Sequence, residues 1–132
     1  MPETETRTHI TDVRTVGVPV IDQDRALDFY VWQLGFEKRM DMPYGQGERW
    51  VEVAPVGAAT TLALVRVHEG EPTGVDTQVR FATDDAEADH ADLLARGVDA
   101  DAEIVPYPVP MFSFRDPDGN RLVIVQAVGN RG

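Results

Sequence analysis

The side chains that could carry out catalysis or bind a metal ion are few and scattered in this sequence. The 132 residues include no cysteine and only three histidines, His9, His68 and His90. The absence of cysteine excludes a disulfide scaffold, a thiolate zinc site and a cysteine nucleophile. The histidines lack the short spacings by which neighbouring ligands share a metal ion. Each is therefore expected to be a surface residue, with His90 in contact with solvent.

The composition is that of a single globular domain with an acidic surface. Hydrophobic residues make up 42% and charged residues 27% of the chain, and the formal net charge is −11. This charge argues against a nucleic-acid partner, because phosphate backbones are bound by clusters of Lys and Arg. The chain has no run of about 18 apolar residues, which excludes a membrane-spanning helix. It also lacks the apolar core of a signal peptide, and we predict a cytoplasmic protein without a membrane partner.

A repeat organises the chain into two halves. Residues 22–35 and 84–97 each begin with acidic residues and end with glycine, which is typical of a helix with an N-cap and a glycine after its last turn. Ala88, Ala91 and Leu94 are predicted to form the apolar stripe of the second helix.

Strand patterns flank both predicted helices. Apolar residues alternate with other residues before each helix, at Val16, Val18 and Val20 and again at Val79 and Phe81. The strands after the helices are predicted at residues 36–42, 49–53 and 60–67, and at 102–105, 111–115 and 121–126. The order is therefore β-α-β-β-β twice, in modules of about 11–69 and 74–128 within one domain, with residues 1–10 as a flexible arm.

Two motifs resemble those of the vicinal oxygen chelate superfamily, which includes glyoxalase I, bleomycin-resistance proteins and extradiol dioxygenases. One is the segment from Val20 to Tyr30 followed by Leu34-Gly-Phe-Glu37, and the other is Phe114-Arg-Asp-Pro-Asp-Gly-Asn120. The resemblance covers roughly residues 13–127. It implies an α+β fold of two βαβββ modules that form a curved mixed sheet around a cleft, with the helices on the outer face. It also implies a homodimer, with the cleft built either within one chain or across the dimer.

The same resemblance implies up to four metal ligands, on the first and last strands of each module. These positions correspond to Thr15, Ala63, Gln78 and Val123. Ala63 and Val123 have no donor atom, and Thr15 is a poor ligand for a divalent ion. Catalytic zinc or iron sites normally use about three side-chain ligands. We therefore expect no metal ion at this position and no cofactor.

Strand alternation then predicts which side chains face the cleft. The predicted set is Thr15, Trp50, Glu52, Thr61 and Ala63 from the first module, and Gln78, Arg80, Met111, Ser113 and Val123 from the second. An apolar pocket with a few polar groups is typical of a small-molecule site, and Trp50 can stack on a planar ligand. The alternatives are that Trp50 serves sheet packing or a dimer contact, and that Glu52 and Arg80 pair with each other.

The predicted function is that of a metal-free small-molecule-binding protein of the glyoxalase/bleomycin-resistance type. It would sequester an aromatic or cationic natural product, as in antibiotic resistance. The alternative is a lyase, isomerase or dioxygenase of the same superfamily that acts on a small organic substrate, with or without a divalent metal. In a metal-free enzyme, Glu52 is the candidate general base. A third possibility is an interaction module without a ligand.

Overall fold

Eight strands form two four-stranded mixed sheets, one from each half of the sequence. The computed structural model describes residues 7–127. The first sheet has the order β1-β4-β3-β2, with β1 (Thr15–Val20), β2 (Glu37–Tyr44), β3 (Glu48–Ala54) and β4 (Thr61–Arg66). The second has the order β5-β8-β7-β6, with β5 (Asp76–Thr83), β6 (Asp99–Ala100), β7 (Met111–Arg115) and β8 (Arg121–Gln126). In each sheet the first and last strands in sequence order, β1 with β4 and β5 with β8, pair in parallel. The other neighbouring strands are antiparallel. The predicted α+β fold of two βαβββ modules is confirmed.

One helix follows the first strand of each module, as the repeat predicts. Helix α1 (Gln23–Leu27) continues as a π-helical segment (Asp28–Gln33), and α2 spans Ala86–Ala95. Asp22 caps α1 by accepting from the backbone N–H groups of residues 24 and 25, and Asp85 caps α2 in the same way. Such caps satisfy N–H groups that have no partner within the helix.

The alternating apolar residues of the strands bury one face of each sheet in a common core. The core contains Val18 and Leu64 from the first sheet and Phe112 and Phe114 from the second. The Phe29 ring of the π-helical segment lies 6.3 Å from that of Phe114, so the two modules share this core. Each sheet thus has one face that packs in the core and a second face on which the predicted site residues lie.

The turn between β7 and β8 connects the modules by hydrogen bonds. The buried Asp116 carboxylate accepts from the Tyr30 hydroxyl at 2.9 Å and from the Asn120 amide at 3.0 Å. The same amide donates to the carbonyl oxygen of Pro19 at 2.7 Å. Burial raises the pKa of Tyr30 well above its ordinary value, and the charge and hydrogen bond of Asp116 raise it further. Tyr30 therefore remains a neutral hydrogen-bond donor.

The second module differs from the sequence prediction at one strand. Strand β6 lies at Asp99–Ala100 rather than at 102–105, and Val105 forms only an isolated bridge with Met111. The prolines at positions 106, 108 and 110 have no N–H group with which to continue a ladder.

Two predictions about α2 are wrong. Ala86 and Leu93 form its buried face, whereas Leu94 is 44% exposed, because the helix is rotated from the predicted Ala88, Ala91, Leu94 stripe. His90 does not face solvent freely, since its Nε2 lies 2.7 Å from the carbonyl oxygen of Asp101. Its ring also packs against Phe112 with centroids 4.8 Å apart.

The predicted flexible arm lies partly within the described chain. Residues 7–10 are exposed, as are residues 11–14. The rest of the arm, residues 1–6, and the end of the second module at residue 128 lie outside the described residues.

Candidate functional site

Strand register places the predicted residues of the first module on one face of the first sheet. Thr15 lies opposite Thr61, and Ala63 lies opposite both Gly17 and Glu52. Because directly opposed residues of neighbouring strands point to the same side of a sheet, these side chains share the face that points away from the core. We call this surface, which lies on the side away from the helices and the core, the outer face of the first sheet.

A hydrogen-bonded group of five side chains occupies the outer face. The Glu52 carboxylate accepts from Trp50 Nε1 at 2.6 Å, from Thr61 Oγ1 at 2.9 Å and from Arg14 Nη1 at 3.0 Å. The Thr15 and Thr61 hydroxyl oxygens lie 2.8 Å apart, and Arg14 Nη1 also donates to Thr15 Oγ1 at 2.7 Å. We call these residues the Glu52 cluster. It brings together four of the five residues that alternation predicts for this module.

The Glu52 carboxylate is held in its ionised form. The residue is only 1% exposed, and burial alone raises its pKa. The hydrogen bonds from Trp50, Thr61 and Arg14, together with the charge of Arg14, outweigh burial and lower the pKa below its ordinary value. A general base needs a pKa near the working pH and a free lone pair aimed at the substrate. Glu52 does not meet these requirements, because its pKa is lowered and the lone pair of Oε1 that accepts no hydrogen bond belongs to a side chain that is only 2% exposed.

Arg14 is the member of the Glu52 cluster that the sequence pattern does not predict. It lies immediately before β1, and the carbonyl oxygen of Arg14 accepts from the Thr61 backbone N–H at 2.9 Å. This bond continues the β1–β4 ladder by one residue and directs the guanidinium toward Glu52. Its 67% side-chain exposure contrasts with 2% for the Glu52 side chain. A pairing across 38 positions has no local sequence signal, and strand alternation extended back from β1 would place Arg14 on the side of Val16, opposite to Thr15.

Aromatic and sulfur-containing side chains border the cluster on the same face. Met42 lies opposite Trp50 in the β2–β3 register, and Met40 lies opposite Glu52. The rings of Tyr44 and Trp50 meet edge to face with centroids 6.1 Å apart. Met42 and Tyr44 are each 51% exposed. The outer face therefore presents exposed apolar and aromatic side chains beside the hydrogen-bonded polar residues of the Glu52 cluster.

The corresponding face of the second sheet has no such cluster among its predicted residues. Ser113 lies opposite Val123 and both are buried, while Met111 is half-buried opposite Val125. Gln78 is exposed at a β-bulge with a φ of 63°, and its backbone carbonyl accepts from Arg80 Nη1. The alternative pairing of Glu52 with Arg80 is wrong, because Glu52 pairs with Arg14.

A cavity of about 340 Å³ lies where the first sheet meets β5. Its lining is mostly apolar and includes Val16, Leu62, Val79 and Phe81. Thr61 and Arg80, two of the predicted site residues, also border it. Because Thr61 belongs to the Glu52 cluster as well, the cavity lies beside the cluster rather than apart from it.

The donor set at the implied metal positions does not fit a divalent ion. The Thr15 hydroxyl is bonded to Arg14 and Thr61, and Ala63 and Val123 offer only hydrocarbon. The place next to Glu52 already holds a cation, the guanidinium of Arg14. Within residues 7–127, no three His, Cys, Asp or Glu side chains are grouped so that they could hold a metal ion. Gln78 alone provides too few ligands for such a site.

No helix in the described chain is sufficiently long and apolar to span a membrane.

His68, which the sequence places near the boundary between the modules, lies 3.5 Å from the Glu48 carboxylate at a partly exposed position. His9 is exposed. None of the three histidines joins the Glu52 cluster.

Comparison with known proteins relates this architecture to one superfamily. The model of the Glyoxalase/Bleomycin resistance protein/Dioxygenase superfamily matches residues 8–124. The protein YetH of Bacillus subtilis (strain 168), which is uncharacterized, is 31% identical over 114 residues, or 84% of this chain and 94% of YetH.

Two crystal structures share the fold over nearly the whole chain. The antibiotic binding protein TnmS3 from Streptomyces sp. CB03234 is 39% identical, with a TM-score of 0.80 over 92% of this chain and 100% of TnmS3. A member of the same superfamily from Sphaerobacter thermophilus DSM 20745 is 35% identical, with a TM-score of 0.83 over 91% of this chain and 100% of its own.

Proposed function

Because the chain belongs to the Glyoxalase/Bleomycin resistance protein/Dioxygenase superfamily, we propose that it binds a small aromatic molecule on the outer face of its first sheet. In this proposal the protein needs no metal ion and acts by sequestering its ligand. The observation that carries the proposal is the Glu52 cluster, whose only carboxylate is buried, ionised and fully hydrogen-bonded. Such a cluster can orient Trp50, and its buried carboxylate with a lowered pKa is poorly suited to act as a general acid or base.

The chemistry of the outer face supports a binding role. Trp50, Tyr44, Met40 and Met42 offer flat or adaptable apolar surface, which is what small-molecule sites use around a few polar groups. The hydrogen bond from Trp50 Nε1 to Glu52 fixes the indole orientation, so little freedom is lost when a ligand stacks on it. The likeness to TnmS3, an antibiotic binding protein, favours a natural-product ligand and a resistance role.

Fluorescence titration with planar polycyclic antibiotics tests this proposal. The chain has two tryptophans, and Trp32 lies on the helical side with 79% of its surface exposed. Trp32→Phe is therefore the matched control for Trp50→Phe. We expect saturable quenching in wild type and in Trp32→Phe, and its loss in Trp50→Phe.

Calorimetry should show about tenfold weaker binding for Trp50→Ala, since aromatic contacts contribute about 0.5–1.5 kcal/mol beyond area burial. Unchanged affinity in Trp50→Ala would place the ligand elsewhere.

Near-stoichiometric zinc, nickel, manganese or iron in the purified protein, lost in Gln78→Ala, would favour the enzyme alternative and contradict metal-free binding.

We also propose that the protein forms a homodimer. Strand β2 is an outer strand of the first sheet, so one of its edges has no partner strand in the described chain. Exposed apolar edge strands are commonly covered by a second chain. Light scattering after size-exclusion chromatography should give twice the mass of one chain, and the mass of a single chain at all concentrations would contradict it. The cytoplasmic location stays a prediction.

A further inference from the structure

We infer that the ligand class of the outer face is a planar aromatic molecule with an anionic oxygen that accepts hydrogen bonds from Arg14. This inference rests on the proposed function and deepens it, because it decides between the aromatic and the cationic ligands that the sequence leaves open. It assigns Arg14 a role as the residue that determines ligand charge.

A cationic ligand on the outer face would need an accessible acidic side chain to pair with its charge. Glu52 is the carboxylate at the centre of the cluster, and its side chain is 2% exposed. Its Oε2 accepts from Trp50 and Arg14, and its Oε1 accepts from Thr61. Because the side chain is only 2% exposed, a ligand ammonium group could reach the carboxylate only by displacing one of these donors, which would leave a buried polar group unpaired at a cost of about 1–3 kcal/mol. The buried carboxylate therefore does not serve as a cation receptor.

The charge that the Glu52 cluster exposes to solvent is positive. The Arg14 side chain is 67% exposed. Its hydrogen bonds to the described residues, to Thr15 and Glu52, both use Nη1. The Nε and Nη2 groups thus remain available, and a guanidinium can donate two parallel hydrogen bonds to a carboxylate or a similar oxygen pair. The pair of Glu52 and Arg14 is neutral overall, but its negative end is buried and its positive end is exposed.

The Arg14 cation and the aromatic surface of Trp50 belong to one hydrogen-bonded unit. Glu52 Oε2 accepts from both Arg14 Nη1 and Trp50 Nε1. The guanidinium and the indole are therefore neighbours across a single carboxylate oxygen. A ligand whose ring stacks on Trp50 can bring an attached oxygen within reach of Arg14. The net charge of −11 does not describe this face. Glu48, which lies opposite Tyr44, is paired with Arg66, and Arg14 is the exposed cation of the Glu52 cluster next to Trp50.

Three probes of the same shape test the inference: anthracenecarboxylate, its carboxamide and aminomethylanthracene, all substituted at the same ring position. Affinities are measured by calorimetry for wild type, Arg14→Gln and Arg14→Lys. We expect wild type to bind the carboxylate at least about tenfold more tightly than the carboxamide, because a charged hydrogen bond contributes about 1.5–3 kcal/mol. The aminomethyl probe should bind most weakly.

The ratio of carboxylate to carboxamide affinity separates a role in recognition from a role in folding. Arg14→Gln should reduce this ratio to near one, whereas Arg14→Lys should retain part of it. Arg121→Gln is the matched control, since Arg121 lies in the second sheet, forms a 3.0 Å ion pair with Asp76 and has a side chain that is 43% exposed. It should leave the ratio unchanged.

Tighter binding of the aminomethyl probe than of the carboxylate would overturn the inference while leaving aromatic binding intact. An equal loss for all three probes in Arg14→Gln would also overturn it, because Arg14 would then only support the face. Binding of none of the probes would overturn it as well, and the antibiotic titration of the two tryptophan variants would decide the proposed function separately.

Discussion

Asp116 and Glu52 are both buried carboxylates with every oxygen hydrogen-bonded, yet their surroundings differ. Asp116 lies between the modules and accepts from the Tyr30 hydroxyl, the Asn120 side chain and two backbone N–H groups. Glu52 lies under the outer face and accepts from side chains alone, including the exposed guanidinium of Arg14. The first carboxylate joins two modules, and the second positions groups that a ligand can reach.

Under the proposed function, the two carboxylates divide stability from ligand binding. A neutral phenol and an amide surround Asp116 in the core, so a change there disturbs both modules at once. The partners of Glu52 are a half-buried indole and a mostly exposed guanidinium, so a change there acts on the outer face. Loss of Asp116 should therefore reduce folding, whereas loss of Glu52 should mainly reduce ligand binding.

Asp116→Ala should have the largest effect on stability. It leaves the Tyr30 hydroxyl and the Asn120 amide without this acceptor, and each unpaired buried group costs about 1–3 kcal/mol. We expect the free energy of unfolding to fall by about 4 kcal/mol, measured by urea denaturation. A loss below about 1 kcal/mol would show that the turn does not hold the modules together.

Glu52→Gln should have a smaller effect on stability, about 2 kcal/mol, because the amide keeps one acceptor but loses the charge that pairs with Arg14. The lowered pKa of Glu52 makes this contribution pH-dependent. It is present above the ordinary value of 4.5 and is lost as the pH falls through the folded-state pKa.

Urea denaturation at neutral pH and at a series of acidic pH values below the ordinary 4.5 therefore tests the role of Glu52. The difference between wild type and Glu52→Gln should shrink at the lower pH values, as the wild-type carboxylate becomes protonated. A difference that grows on acidification would mean that Glu52 is not held as a carboxylate. Antibiotic affinity should fall in this variant because the acceptor that anchors Trp50 loses its negative charge.

Ala58→Leu should have the smallest effect. Ala58 lies on the turn between β3 and β4 and borders the 340 Å³ cavity, so a larger side chain fills part of that space. We expect a gain of up to about 1 kcal/mol in stability with ligand affinity unchanged. Val56→Ala, at an exposed position of the same turn, is the control and should stay within about 0.5 kcal/mol. A large loss of affinity in Ala58→Leu would move the ligand into the cavity.

Much of the fold could be predicted because its signals are local. The Asp caps, the terminal glycines and the alternation of valines each depend on neighbours within a few residues, and they give the helices and most strands. Alternation also placed Thr15, Trp50, Glu52 and Thr61 on one face, where the structure joins them by hydrogen bonds. The weak apolar pattern of α2 did not fix its rotation, so Leu94 was predicted on the wrong face.

The contacts of the site residues could not be predicted, because they depend on strand register and on distant partners. Arg14 reaches Glu52 across the sheet, and no local pattern distinguishes it from the other arginines. His90 finds the carbonyl oxygen of Asp101 only because the chain turns after β6. The bulge at Gln78 likewise follows from the β5–β8 pairing rather than from the residue itself.

A crystal structure of the protein with the tightest-binding planar antibiotic tests the central claim most directly. The account predicts that the aromatic ring of the ligand contacts Trp50 and Tyr44, with a ligand oxygen beside the Arg14 guanidinium and no metal ion between them. A ligand buried in the cavity between Leu62 and Phe81, or a metal ion coordinated by Gln78, would contradict it.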